Sequence, residues 1–518
     1  MFALTKSDFR PAHLARSAAA SLALAAGLLA ANVGAVAAET LRIAVPSDPG
    51  YLDPAYWGST VDQFLIDNLY PRLAKPVPGT EWKVELADAK SVDLSDPMNI
   101  AFELKPGIMW TGGFGELTAE DVKYSYERHL DPELESGVAA EFSSLKEVEV
   151  TGKYTGIIRL KEPSATFWTS TLVFTGGAIV SKAAADEAGG YFEATPVATT
   201  GPYMLKEFEP GNKLVLQRNP DWTGETGDFD EIVLLPIGDE NAAELAFTAG
   251  EIDYTRSSAG NYDNLKANPP KDGEVLLVQS LDPMWLGITA SHEKLQDKRV
   301  RNAIQLAIDV PTILQATTGG HSKQATGIVA PGLPGYRDGK ELKRDVEKAR
   351  TLLAEAGAEG LSVRLDYVNT TERSTAAQIM QANLAEAGIT LELNGQDEGT
   401  FWNIDEAKAA DLQLHLKAWT GNPDGFYTLQ YFVADQVGVW NWEAYQDPEY
   451  ERLLEKARGT MDEAERGKIY EEMQAMLEDS GTFLFIAQDP YVAIHRKGMV
   501  PGILPDGRPV FHAFKKDG

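Results

Sequence analysis

Leu41, Ile43 and Val45 alternate with Arg42 and Ala44, a period of two that predicts an opening strand, and 46–54 then supplies a turn-rich exit. Leu214 and Leu216 repeat the pattern in a strand bounded by Pro210, Gly211 and by Asn219, Pro220. Thr118 with Asp121 three residues on makes a capping-box start, and Val122, Tyr126 and His129 follow at helical spacing. From Asp345 onward the pattern is most regular. Asp345 caps a helix that stops at Gly357, and Leu361, Val363, Leu365 and Tyr367 then alternate. A second helix ends at Gly388, Ile389, Leu391 and Leu393 form another strand, and a helical stretch covers 401–409. Leu412, Leu414, Leu416 and Ala418 alternate with Gln413, His415 and Lys417, a strand expected to deliver Trp419 to a sheet edge. Such alternation reads as an α/β fold with ligands off the strand ends.

That last strand opens a dense aromatic segment. Trp419, Phe426, Tyr427, Tyr431, Phe432, Trp440 and Trp442 fall within 24 residues, where the chain's 9% aromatic content predicts about two. Asn422, Pro423, Asp424 and Gly425 impose a turn just after Trp419. Aromatics on a turn at a strand end are either core or the walls of a concave site for a polar ligand.

Lys6, Arg10 and Arg16 precede an uncharged Ala/Leu-rich run from Ala18 to Ala31, which reads as a secretory signal peptide over 1–38. Cleavage after Ala38 puts small Val36 and Ala38 at the positions the peptidase reads, and cleavage after Ala37 fits as well. The run is short for a membrane span, and no later stretch approaches the roughly 20 apolar residues that a span needs. The chain has no Cys, so no disulfide, thiol nucleophile or lipid-modified N-terminal cysteine is available. An exported, unanchored protein is expected, most simply in a Gram-negative periplasm. Its net charge of −30 opposes nucleic acid and anionic lipid as partners. The mature length exceeds one ordinary core, so two or three domains are expected. Without a repeat or long linker these should share several chain crossings and hinge as rigid bodies.

Several segments together resemble family 5 of the periplasmic solute-binding proteins of ABC transporters, the peptide, dipeptide and nickel cluster. Tyr51 Leu52 Asp53 Pro54 resembles its early Leu-Asp-Pro, and Leu117 Thr118 Ala119 Glu120 Asp121 Val122 its Leu-Thr-Ala-Glu-Asp-Val. Gly201 Pro202 Tyr203 and Arg218 Asn219 Pro220 Asp221 Trp222 are similar to its Gly-Pro-Tyr and Arg-Asn-Pro-x-Tyr/Trp. Asp297 Lys298 Arg299 Val300 Arg301, with Ala307 Ile308 Asp309, looks like its Asp-x-Arg-Val-Arg and Ala-Ile-Asp. Physically these are structural: Val300, Ile304 and Ile308 share a helix face, and Arg299 and Arg301 are expected to hold carboxylates. The resemblance implies a bilobed α/β periplasmic-binding-protein fold with an extra domain inserted in the first lobe. Lobe I would be 39–57 with 197–288 and 490–518, the inserted domain 58–196, and lobe II 289–489. It further implies a monomeric receptor that binds a small polar solute, a peptide first of all, without a cofactor, and delivers it to an ABC permease in the inner membrane.

The same resemblance implies a site. After Trp419, relatives offer backbone groups, here including Thr420, to an extended peptide, and an Asp three residues later pairs with its α-amino group. This chain has Asn422 there. An amide still accepts a hydrogen bond but loses a charge-assisted pairing of about 1.5 to 3 kcal/mol. Asp424 takes over only if the turn presents it inward. That departure keeps open a non-peptide solute such as an opine, amine or glycoside. Trp57, Gly58 and Thr60 are placed on the opposite wall, the alternative being a turn glycine and a core Trp. Trp440, Asn441 and Trp442 frame a bifunctional amide between apolar planes, or else pack the core. Trp110 precedes Thr111, Gly112 and Gly113 where relatives show an Asp-Gly turn, and it ranks lower, as does Trp285, which suits hinge packing.

Catalytic patterns are weak. The seven His form no HExxH, and His415 reads as a strand histidine before a metal ligand, so no metal site is expected. The Gly-Lys pairs at Gly152, Gly339 and Gly467 are never followed by Ser or Thr, which leaves no Walker A loop. Ser143 and Lys146 match the short Ser-x-x-Lys pattern, but its companion Ser-Asp-Asn and Lys-Thr-Gly elements are missing, so a serine acyl-transfer enzyme is a distant third reading.

Overall fold

The computed structural model describes residues 38–80, 82–339, 341–404, 406–419, 421–488 and 490–517. Apart from Ala38, the expected signal segment therefore lies outside the described residues, and so does Thr420.

Three larger sheets organise the described chain. The first has seven strands in the order Gly273–Val278, Tyr491–Arg496, Tyr254–Ser258, Thr40–Val45, Glu231–Pro236, Lys213–Arg218 and Tyr203–Glu209. Its opening strand follows the sequence pattern: Leu41 and Ile43 face Ile232 and Leu234 across a parallel register, and all four are buried. The second has five strands, Thr390–Gln396, Ser362–Val368, Leu414–Ala418, Pro283–Ile288 and Phe483–Gln488. A four-stranded antiparallel sheet, Ala89–Asp93, Asn99–Leu104, Thr155–Leu160 and Leu145–Val150, lies within 58–196. The chain crosses between the two larger sheets twice, from Val278 to Pro283 and from Gln488 to Tyr491. Pro283–Ile288 already pairs in the five-stranded sheet, a few residues ahead of the expected boundary at 288.

Local chemistry ends the elements where the sequence signals stand. Asp121 accepts the Thr118 backbone N–H at 2.9 Å and its hydroxyl at 3.0 Å, starting the helix Ala119–Glu127. Asp345 accepts the Lys348 N–H at 2.9 Å, and Gly357, at φ 66°, closes the helix Val346–Ala356 in the left-handed conformation that glycine adopts without a Cβ penalty.

Three expectations need correction. The stretch 401–409 is two short helices, Glu398–Trp402 and Glu406–Asp411. Phe401 buries against Val368, Leu412 and Trp442, which ties the first helix to a satellite core. The strand Leu414–Ala418 is the middle one of five, not an edge: it runs parallel to Ser362–Val368 and antiparallel to Pro283–Ile288. Its polar positions are not solvated, since His415 and Lys417 are as buried as Leu414 and Leu416. Arg301 donates to the carbonyls of Leu295, Gln296 and Ser480 instead of to a carboxylate, whereas Arg299 does pair with Asp297 at 2.6 Å.

Candidate functional site

A cavity of about 340 Å³ is lined from both larger sheets. One side comes from 43–46, Trp57, Gly58, Thr60, Gln63, 254–257 and Arg508, the other from Val368, Arg373, Glu398, Trp402, Trp419, Tyr427, Tyr431 and Trp440. Aromatic rings and charged groups of both signs thus share one concave surface, the composition expected of a site for a polar solute.

Trp419 reaches it from the end of the central strand. Its ring lies parallel to Phe432 at 5.5 Å and meets Trp285 edge-on at 5.1 Å, so one face of the Trp belongs to the core and the rest to the cavity. Beneath it, Lys417 donates to the Trp440 carbonyl at 2.9 Å and its ammonium sits 4.8 Å from the Trp419 ring and 4.2 Å from that of Trp442. Burial pulls the Lys417 amine down to about 8. Glu443 accepts from Trp285 Nε1 at 2.7 Å and lies 2.9 Å from His415 Nε2. Burial by itself would raise its carboxyl, but Lys417 and His415 outweigh that and hold it down to about 2. The histidine considered as a metal ligand is thus bound into a buried ion network that props the Trp wall.

Of the residues singled out from sequence, Trp57, Gly58, Thr60, Trp419 and Trp440 line the cavity. Gly58 leaves open space where a Cβ would stand, and its N–H is taken by the Asp62 carboxylate at 3.1 Å, as is that of Ser59 at 3.2 Å. The other described ones lie elsewhere. Asn422 is buried, its Oδ1 accepts the Asp424 N–H at 3.1 Å, and its Nδ2 has no partner among the described residues. Asp424 accepts from Tyr470 at 2.7 Å, the Phe426 N–H at 3.0 Å, Thr169 at 3.1 Å and Arg466 at 3.2 Å, which uses its carboxylate to tie the turn down. Asn441 fastens its own loop through the carbonyls of Val433 and Tyr445. Trp442 packs on Phe401 and Trp402, and Trp110 is buried in the large core around the first sheet.

Several lining residues carried no sequence signal. Arg256 lies 3.6 Å from the Tyr491 ring centroid, in a strand that reads as ordinary. Glu398 is pushed up by burial, against the pull of Arg373 and Arg256. Asp282, in the first crossing, accepts the Gly421 N–H at 2.6 Å, and burial with Asp506 nearby raises its carboxyl to about 7. Gln63 and Arg508 complete the set. All but Glu398 lie far in sequence from the aromatic segment, so only folding assembles them.

Contacts also bridge from 58–196 to the aromatic segment. Tyr431 donates to Glu141 at 2.9 Å, Thr169 to Asp424, and Phe174 lies 5.0 Å from Tyr427. Ser143 is exposed and accepts from Arg458 at 2.9 Å, while Lys146 pairs with Glu147 at 3.7 Å, so the Ser-x-x-Lys pair is engaged separately. Among the described residues no group of three His, Cys, Asp or Glu is arranged to hold a metal, and no helix is long and apolar enough to cross a membrane.

The model of the bacterial extracellular solute-binding proteins, family 5, matches residues 81–440. The chain is 30% identical over 512 residues to di/tripeptide-binding protein 4 of Pseudomonas aeruginosa (strain UCBPP-PA14), covering 92% of this chain and 94% of that protein. Among solved structures it is similar to the periplasmic binding protein DppA from Helicobacter pylori in complex with the peptide STSA, with a TM-score of 0.85 and 23% identity over 92% of this chain and 98% of that one. The binding protein AgaA of A. tumefaciens R10, in complex with agropinic acid, gives a TM-score of 0.82 and 24% identity over 92% and 99%. The structural likenesses establish the bilobed periplasmic-binding-protein fold.

Proposed function

Because the chain belongs to the bacterial extracellular solute-binding proteins of family 5, we propose that it is an exported receptor of an ABC importer that closes over a short peptide and passes it to an inner-membrane permease. One observation carries the polar ligand: Trp57 Nε1, Trp419 Nε1, Trp440 Nε1, both amide atoms of Gln63 and Arg508 Nη2 are buried without partners among the described residues, and all five residues line the cavity. Buried donors and acceptors are nearly always paired in native proteins, so a set of orphans around one cavity fits groups that a ligand satisfies. Arginine and carboxylate groups around the same space suit the two ends of a zwitterion. At about 340 Å³ the cavity is at the small end for ligand sites, which favours a di- or tripeptide over a long extended chain. Relatives named for di- and tripeptides agree with that size.

A non-peptide solute such as an opine is the second reading. It is favoured by Asn422, an amide outside the cavity lining where peptide receptors place a carboxylate for the ligand amine. A thermal-shift screen of di- to pentapeptides against opines, sugars and quaternary amines separates the two. A true ligand at a hundred times its Kd adds about 2.7 kcal/mol of stability. Peptides are expected to raise the melting temperature; a panel in which only another class does so overturns the peptide assignment.

A further inference from the structure

Gln63 stands in the first turns of the helix Thr60–Leu69 and is fully buried. Its backbone N–H is bound to the Ser59 carbonyl at 3.1 Å, yet neither Oε1 nor Nε2 meets a partner among the described residues, and the residue lines the cavity. One helical turn on, Asp67 shares its face, since positions four apart are neighbours on a helix. Asp67 accepts Arg508 Nη1, and Asp506 accepts Arg508 Nε at 2.6 Å. The remaining Nη2 of Arg508 is buried and unpartnered, and Arg508 lines the same cavity. An acceptor, a neutral donor and a charged donor are therefore carried by residues that line one cavity. Leaving such groups buried and unbonded is unfavourable, so a ligand that bonds them gains affinity.

We infer that Gln63 is a specificity-determining residue that reads an amide of the ligand: its Oε1 accepts the ligand N–H, while its Nε2 and Arg508 Nη2 donate to ligand carbonyl or carboxylate oxygens. A carboxamide is complementary to another amide because each offers one acceptor and one donor. A hydroxylated or cationic group without an amide leaves part of that wall unsatisfied, and a site built to hydrogen-bond a substrate group rejects analogues lacking it far more strongly than a hydrophobic pocket rejects a missing methylene. This rests on the cavity being the solute site and adds the functional group that the site selects.

Calorimetric titration of wild type and Gln63→Met tests it with paired probes: L-alanyl-L-alanine against its ester analogue alanyl-lactate, trialanine, and N-acetylglucosamine against glucose. Wild type is expected to prefer the amide member by tenfold or more. Gln63→Met, similar in size and apolar, is expected to lose at least tenfold for that member and to erase the preference, with a ligand-free melting temperature equal to or above wild type. Gln63→Glu, which keeps an acceptor and loses the donor, is expected to weaken binding of the amide member as well. Unchanged affinity in Gln63→Met overturns the inference, with water satisfying the amide instead, and a lower ligand-free melting temperature overturns it in favour of a structural amide. If alanine peptides fail to bind wild type while N-acetylglucosamine binds in a Gln63-dependent way, the peptide assignment falls and the inference stands. Binding confined to amide-free solutes refutes both.

Discussion

Asp424 has two possible uses in a turn that follows a Trp-bearing strand: to face a ligand, or to hold the turn. Four donors on its carboxylate, from Tyr470, Phe426, Thr169 and Arg466, favour the second. Removing one partner of a buried ion pair costs about 3 to 5 kcal/mol because the other charge is left uncompensated. Asp424→Asn is therefore expected to lose about 3 kcal/mol in urea unfolding while the ligand identified by thermal shift binds almost as before; a large loss of affinity at unchanged stability would return Asp424 to the site. Trp419 is a different case, since one ring serves core and cavity together. At this scale residue type was legible and role was not: Trp419 and Asn422 stood out in sequence, whereas Gln63 became visible only through its missing partners.

Elements were the most legible level. The capping carboxylates of Asp121 and Asp345 and the left-handed Gly357 act within a few residues, so their effect is written locally. The strand Leu414–Ala418 misled because its polar side chains are held inside the fold, His415 Nε2 against Glu443 and Lys417 on the Trp440 carbonyl, partners more than twenty residues away. The short 3-10 helix Ala139–Phe142 makes a further prediction through Glu141. Burial raises its carboxyl from 4.5 to about 8, with the Tyr431 hydroxyl pulling the other way. An unfolded chain ionises this group near 4.5, so its contribution is full below that value and is lost as pH rises toward 8, by at most about 1.4 kcal/mol per pH unit. Asp282, raised to about 7, acts in the same direction. Buried His129, lowered to about 3, acts oppositely: its contribution is present above 6.5 and is lost as pH falls toward 3. Urea midpoints from pH 5 to 8 are expected to fall less steeply in Glu141→Gln than in wild type, and parallel curves would show that the carboxyl ionises normally.

Across the whole molecule, two short crossings join the larger sheets, and contacts such as Tyr431 to Glu141 and Thr169 to Asp424 bridge from 58–196 to the aromatic segment. Few covalent links with several non-covalent bridges suit a hinge whose closed form a ligand selects. Small-angle X-ray scattering is expected to show a larger radius of gyration without ligand than with it, and an unchanged radius would argue against closure. Order along the chain, the α/β class and the family signatures were all present in the sequence, because each is a local pattern or a short motif. That Gln63, Arg256, Asp282, Glu398 and Arg508 share the cavity with Trp57, Trp419 and Trp440 was decided by tertiary structure alone. Trp57 and Gln63 come to line one cavity with Trp419 and Trp440, which lie hundreds of residues further along the chain, only once the chain has folded. Periodicity records which face of an element is buried, and carries no information about whether a polar atom on that face finds a partner within the protein or is left for a ligand.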